Sequence, residues 1–252
     1  MNLCLFSHYY ENNYIPNYVI YYLEKLSEVV DHIILLTNDR EIKNIDILDE
    51  LNISYYKYQN SGYDFGMYHK YLTNNKIDCN KLFLVNDSMV CFNSLNKIKE
   101  EVDKDDCDVF GITDSHEIKY HLQSYFLVLS KRATDLFINY LIENGIKNDF
   151  TEVIHTYEIG FSQEVLGFGY ILRSMFDSKK YSKAHMTNIA VYFADILIRK
   201  NLPLIKRKVF FNNFKGAEKD WLKKVRYGFN THFTLVDKHR EENLNINYLY
   251  EN

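Results

Sequence analysis

Proline occurs twice in this chain and glycine nine times. That leaves no room for a Pro- or Gly-rich linker and gives no sharp cut between independent units. Cysteine is scarce, and Cys4, Cys79, Cys91 and Cys107 form no close pair, so neither a zinc site nor a redox motif is indicated. All four lie in or beside apolar runs, which suits reduced, buried thiols in a cytoplasmic protein. No window approaches the roughly 20 apolar residues that span a bilayer. The opening MNLCLFSHYYENN has no basic segment before its short apolar run, so no signal peptide is expected and the protein reads as soluble or peripheral. No Gly-x-Gly-x-x-Gly follows that first run, where Ser7-His8-Tyr9-Tyr10 stands instead, which disfavours a dinucleotide-dependent oxidoreductase.

Positive charge is thin over most of the chain and concentrated in one stretch. The net charge is −4, yet ten of the thirty Lys and Arg fall between Arg199 and Arg226 against only Glu218 and Asp220. Phe210, Phe211, Phe214 and Trp221 are interleaved with them. Such a mixture suits either an anionic lipid surface or a solvated surface helix. Because the basic residues are confined to this late segment, no nucleic-acid partner is expected. The 22 tyrosines accompany much Asn, Lys and Ile, so they reflect an AT-rich coding bias more than a carbohydrate site.

With 252 residues and 46% apolar content, the chain can bury a sizeable core. Leu3–Phe6 is a short apolar run, His32–Thr37 and Lys81–Val85 read as buried strands, and Ile53–Tyr58, Asp108–Thr113 and Ser124–Leu129 read as further strands. Helical spacing follows Pro16, and helices are predicted near Ile45–Leu51, from Ser94 to about Val102, and over Lys131–Asn144 with Gly145 as its cap. Another helix is predicted over Ala184–Ile198, then the basic segment and a polar tail from Asp237. Strands alternating with helices imply an α/β fold with a mainly parallel sheet covered on both faces. The working division is residues 1–180 as a catalytic unit and 181–252 as a helical, basic extension, with one continuous domain as the alternative.

Parallel sheets bind ligands at the carboxyl ends of their strands, so the polar groups there are the candidates. In Asn60-Ser-Gly-Tyr-Asp-Phe-Gly66, Gly62 and Gly66 allow tight turns. Tyr63 and Phe65 offer flat faces, Asp64 can accept from a sugar hydroxyl, and the following helix start can favour phosphate. Asn86-Asp87-Ser88 is either an Asx-type turn or a place where one carboxylate holds a divalent cation on two phosphates. Asp114, at the end of another strand, is either a cap or a general base. His121, Gln123, Ser124 and Tyr125 can line an acceptor pocket. Tyr157-Glu158-Ile159-Gly160 offers a second carboxylate beside a glycine turn. Taken singly, His8, His69 and His155 read as structural or surface residues.

In order and spacing these segments resemble the rhamnan synthesis protein F family. The resemblance is carried by Leu3–Tyr10, Gly62–Gly66, Leu84–Ser88, Phe110–Asp114, Tyr120–Phe126, Tyr157–Gly160 and Leu202–Lys208. It implies a GT-A-like, Rossmann-type glycosyltransferase that moves L-rhamnose from dTDP-L-rhamnose, with inversion, onto a rhamnan, capsule or O-antigen. The nucleotide sugar would lie on His8, Gly62, Tyr63, Asp64, Phe65, Gly66, Asn86, Asp87 and Ser88, with Mg2+ or Mn2+ at Asp87. The acceptor, a lipid-linked or polysaccharide glycan, would meet His121, Gln123, Ser124 and Tyr125, with Asp114 or Glu158 as base. Residues 199–226 would touch the inner face of the cytoplasmic membrane. The usual Asp-x-Asp is replaced here by Asn86-Asp87-Ser88, with a single carboxylate. A transferase for another nucleotide sugar, or a binding module on the same scaffold, are the other readings.

Overall fold

The computed structural model describes residues 1–9, 13–181 and 188–211. Its first half is β1 (Asn2–His8), α1 (Asn17–Ser27), β2 (His32–Asn38), α2 (Asp46–Glu50), β3 (Ser54–Tyr58), α3 (Tyr63–Leu72) and β4 (Lys81–Asn86). β1 pairs in parallel with β2 on one side and β4 on the other, and β3 extends the sheet beyond β2. The near-continuous apolar runs of β1, β2 and β4 are buried because helices cover both faces of the sheet.

After β5 (Met89–Cys91) and α4 (Asn96–Val102) the sheet turns mixed. β6 (Val109–Ser115), β7 (His121–Leu122) and β8 (Phe126–Ser130) follow, and β8 joins β4 and β6 in antiparallel pairing. β8 starts two residues later than the sequence suggests, because the Ser124 amide leaves the ladder to bond the Glu158 carboxylate at 3.2 Å. α5 (Lys131–Asn144) has the predicted bounds, capped by Ser130 and by Gly145 at φ 63°. α6 (Phe150–Val153), a π-helical stretch (Ile154–Gly160), α7 (Phe161–Gly167) and β9 (Leu172–Phe176) complete this half, with β9 parallel to β6.

The run predicted as one helix over Ala184–Ile198 is α8 (Ile189–Tyr192) and α9 (Ala194–Arg199); residues 184–187 lie outside the described residues. Phe193 leaves helical geometry at φ −122°, ψ 22°, and its ring packs beside that of Tyr181. β10 (Leu204–Lys206) pairs antiparallel with β5 and runs into α10 (Arg207–Phe211). The basic stretch therefore begins at the end of α9 and crosses a strand, β10, before it re-enters a helix at Arg207. Leu197, Ile198, Leu202, Leu204 and Ile205 are buried in one apolar cluster with α1, α4 and one face of β1 and β4, while α3, α5 and α7 cover the other face. Each of those side chains contributes roughly 1.5–3 kcal/mol by leaving water, which fixes the 188–209 segment against the sheet. Among the described residues no helix is long and apolar enough to cross a membrane.

Candidate active site

The order β3-β2-β1-β4 means the chain winds outward from β1 and then returns to its other side. The carboxyl ends of β1 and β4 bound the resulting crevice, where open α/β sheets take their ligands. His8 ends β1 and Asn86 ends β4. There His8 Nδ1 lies 2.9 Å from Asp87 Oδ2. Asn86 shapes the turn: its Oδ1 accepts from Ser88 N (3.1 Å) and Ser88 Oγ (2.5 Å), and its Nδ2 donates to Asp64 Oδ2 at 2.7 Å. One asparagine thus links the two segments that the sequence marked for the donor.

A cavity of about 500 Å³ opens over this turn, within the range of small-molecule sites. Its walls include Tyr63, Asp64, Phe65, Asn86, Asp87 and Ser88, and Gln123, Ser124, Tyr125 and Glu158 from the later strands and π-helix. Tyr63 is 48% exposed and Phe150 59%, their rings 5.7 Å apart at the wall. Phe150, Val153, Ile154 and Asn188 had no distinguishing signal in the sequence.

Gly62 and Gly66 do not line the cavity; they shape the turn that leads Tyr63 and Asp64 into it. Gly62 sits at φ 76°, and its N–H is already taken by Asn148 Oδ1 at 3.0 Å, so it is not a free phosphate donor. The segment read as a turn is the first turn of α3 from Tyr63 onward.

Glu158 is on the π-helix, not on a glycine turn. Its Oε1 accepts from Ser124 Oγ and Ser124 N, which aims the carboxylate along the cavity wall. Phe65 stacks on Tyr157 at 4.9 Å and fixes the π-helix against α3. Gly160 is needed because a Cβ there would meet Tyr140 Oη at 2.5 Å. Such wide helical turns recur at functional sites. Tyr125 is buried, sharing Thr113 Oγ1 with Gln123, each at 2.7 Å.

Asp114 and His121 lie outside the cavity lining. The Asp114 carboxylate accepts from Ser174 Oγ at 2.5 Å and from Ser178 N at 2.8 Å, which ties β6 to β9 and the following turn. His121 Nδ1 bonds the Lys119 carbonyl at 2.8 Å.

Lys206, Arg207 and Lys208, which the sequence places in the basic stretch and not among the candidate site residues, line the cavity. Main-chain pairing sets them there: Lys206 is opposite Met89, and Arg207 N donates to Ser88 O at 2.8 Å. Arg207 NH1 reaches Asp87 Oδ2 at 3.1 Å and Tyr18 Oη at 2.7 Å. Burial pushes the Asp87 carboxyl up, but Arg207 and His8 pull it further down, to below the usual carboxylate range. Residues 212–226 of the basic stretch lie outside the described residues.

Asp64 behaves oppositely. Burial, with the Asp87 charge, pushes its carboxyl up to about 6, against hydrogen bonds from Ser7 and Asn86 and the charge of Lys206. A raised folded-state pKa means that the folded protein holds the proton more tightly. The stability this contributes is fully present below about pH 4 and lost as pH rises through about 6. Asp64→Asn should therefore raise stability above pH 7 by roughly 1–2 kcal/mol, discounted for solvent at the cavity wall. It should also flatten the loss of stability between about pH 4 and 6. Melting curves across that range check this; an unchanged pH profile would sink it.

The donor set does not fit a resident divalent cation. Asp87 Oδ2 already faces a guanidinium and an imidazole, Asp64 Oδ2 is held by Asn86, and Lys206 stands across the turn. Among the described residues no three His, Cys, Asp or Glu side chains come together as a metal cluster.

A family model described as rhamnan synthesis protein F matches residues 33–252. The chain is 26% identical over 191 residues to the virulence protein VirA of Vibrio anguillarum, over 68% of this chain and 58% of that one. The chain thus spans under two thirds of the length of the curated relatives it matches. Among solved structures, a Bacillus anthracis protein assigned as a glucose-1-phosphate thymidylyltransferase is similar at TM-score 0.50 and 8% identity, over 70% of this chain and 87% of that one. The galactosyltransferase LgtC is similar at 0.42 and 12%, over 92% and 97%. At such identities the first likeness speaks to the fold alone, a GT-A-like mixed α/β sheet that is mostly parallel at its centre. With the family model spanning nearly its whole length, this chain belongs to the rhamnan synthesis protein F family.

Proposed function

We propose that this chain is a glycosyltransferase taking a nucleotide diphosphate sugar, with dTDP-L-rhamnose as the donor and a cell-surface glycan as the acceptor. The observation that carries the reading is one cavity, at the switch point of the sheet, walled by an oriented carboxylate, Glu158, and by a basic strand end, Lys206. A carboxylate there can take a proton from an incoming hydroxyl while a fixed cation faces the departing phosphate. In this scheme the acceptor oxygen bonds to the anomeric carbon and its proton passes to Glu158. The bond from that carbon to the β-phosphate oxygen breaks, its electron pair leaves with the nucleoside diphosphate, and the anomeric centre is inverted.

Tyr63, Asp64 and Phe65 would meet the nucleoside, and Gln123, Ser124 and Tyr125 the acceptor. The acceptor of this proposal is a lipid-linked or polysaccharide chain on the cytoplasmic face of the membrane, with the basic stretch through Arg226 as the contact. The family and the basic, aromatic composition of 199–226 support that part.

A panel of nucleoside diphosphates and nucleotide sugars tests the donor by thermal stabilisation. At about 100 times its dissociation constant a true donor should stabilise by roughly 2.7 kcal/mol. Specific stabilisation by dTDP and dTDP-L-rhamnose, followed by transfer, is the expected result. A shift with another nucleotide sugar alone would reassign the donor. Stabilisation without turnover on any acceptor would reduce the chain to a binding module.

A further inference from the structure

One cation on the cavity wall, Lys206, makes no ion pair among the described residues. Lys206 Nζ lies 3.4 Å from Ser88 Oγ and 4.3 Å from the centre of the Tyr125 ring. Its neighbour Arg207 is instead turned onto Asp87, where it stands on the oxygen that a divalent cation would need. Lys208 lines the same cavity. The three residues are laid beside the Asn86–Ser88 turn by the β10–β5 pairing and by the Arg207 N–H to Ser88 O bond. A lysine desolvated on a cavity wall and facing an aromatic ring is poised for an anion that is not part of the protein. Burial, together with the Lys208 charge, lowers its ammonium to about 8 against the charges of Glu158 and Asp64.

We propose that Lys206, with Lys208 at its side, neutralises the diphosphate of the nucleotide directly, and that Arg207 fills the cation position on Asp87, so that nucleotide binding needs no divalent metal. This rests on the nucleotide-sugar reading above. The ligand class is a nucleoside diphosphate, free or sugar-linked. When the anomeric carbon–oxygen bond breaks, the electron pair left on the β-phosphate is met by side-chain charge already in place. No reorganisation is then required at that moment.

The test is titration calorimetry of the full chain with dTDP, in EDTA and again with Mg2+ or Mn2+. The expected result is a dissociation constant within about threefold in the two buffers and falling affinity as salt is raised. Lys206→Met keeps the apolar stem and should weaken dTDP about tenfold or more, as expected on losing a charge-assisted contact, with Lys206→Arg restoring most of it. Lys208→Ala, at an exposed position, provides a second reading should Lys206→Met fold poorly, with a loss of a few-fold expected. Binding only with metal present, or full affinity in both the Lys206→Met and Lys208→Ala proteins, overturns the proposal and leaves the donor reading standing. Binding of no nucleotide under either condition overturns the donor reading and the proposal with it.

Discussion

Glu158→Gln is expected to lower sugar transfer by about 10²–10⁴-fold with little change in melting temperature or in nucleotide affinity. Glutamine has nearly the shape of glutamate, and its Oε1 can still accept from Ser124 N and Oγ, the two donors that orient the native carboxylate. What it cannot do is take a proton from an acceptor hydroxyl. The loss should therefore appear in kcat, measured with saturating donor, and not in the binding of dTDP. The comparison is Asp114→Asn. Asp114 is buried outside the cavity and accepts from Ser174 Oγ and Ser178 N. Removing its charge should cost about 1–3 kcal/mol of stability through those bonds, while the folded molecules keep their turnover. A near-normal rate in Glu158→Gln would remove it as the base. Loss of turnover without loss of stability in Asp114→Asn would hand that role to Asp114 instead.

Much of the parallel half of the fold can be read from the sequence, because strands buried on both faces are written as continuous apolar runs. His32–Thr37 and Lys81–Val85 are such runs, and both are inner strands flanking β1. The cap of α5 is legible for a different reason: Gly145 stands where the chain must enter positive φ. The Asn86–Ser88 turn is legible because it follows a strand directly. Lys206 was not, although its signal exists as Leu204-Ile205 followed by three basic residues. A three-residue strand pairs with β5 more than a hundred positions away, and no local periodicity reports such a partner. Glu158 reads as standing beside a glycine turn, but it sits on the π-helix at the cavity wall. Gly160 reads as a turn, whereas here it makes room for Tyr140, whose Oη donates to the Thr156 carbonyl at 2.9 Å inside a widened helix.

Gly66→Ala is expected to be the most damaging single substitution near the site. A Cβ at Gly66 would lie 1.9 Å from the Ser61 carbonyl oxygen and 2.8 Å from its carbon. Both are backbone atoms, so no side-chain rotation relieves the clash. Ser61 cannot retreat freely either. Lys70 Nζ holds its Oγ at 2.7 Å, and the residues that follow, Gly62 at φ 76° and Tyr63 at φ 54°, are already in the left-handed region. The turn must therefore shift as a unit, carrying Tyr63 and Asp64 out of register with Asn86. Overpacking of this kind costs about 3 kcal/mol or more, roughly 6–12 °C in melting temperature for a chain of this size. The loss should come first as stability, since Gly66 packs against the Ser61 backbone. Gly167→Ala is the control: a Cβ at that helix end meets nothing within 4 Å, and Ala restricts the unfolded chain, so stability should hold or rise slightly. Equal melting temperatures for Gly66→Ala and wild type would show that the turn can give way, and that the close approach to Ser61 does not hold Asp64 in the cavity.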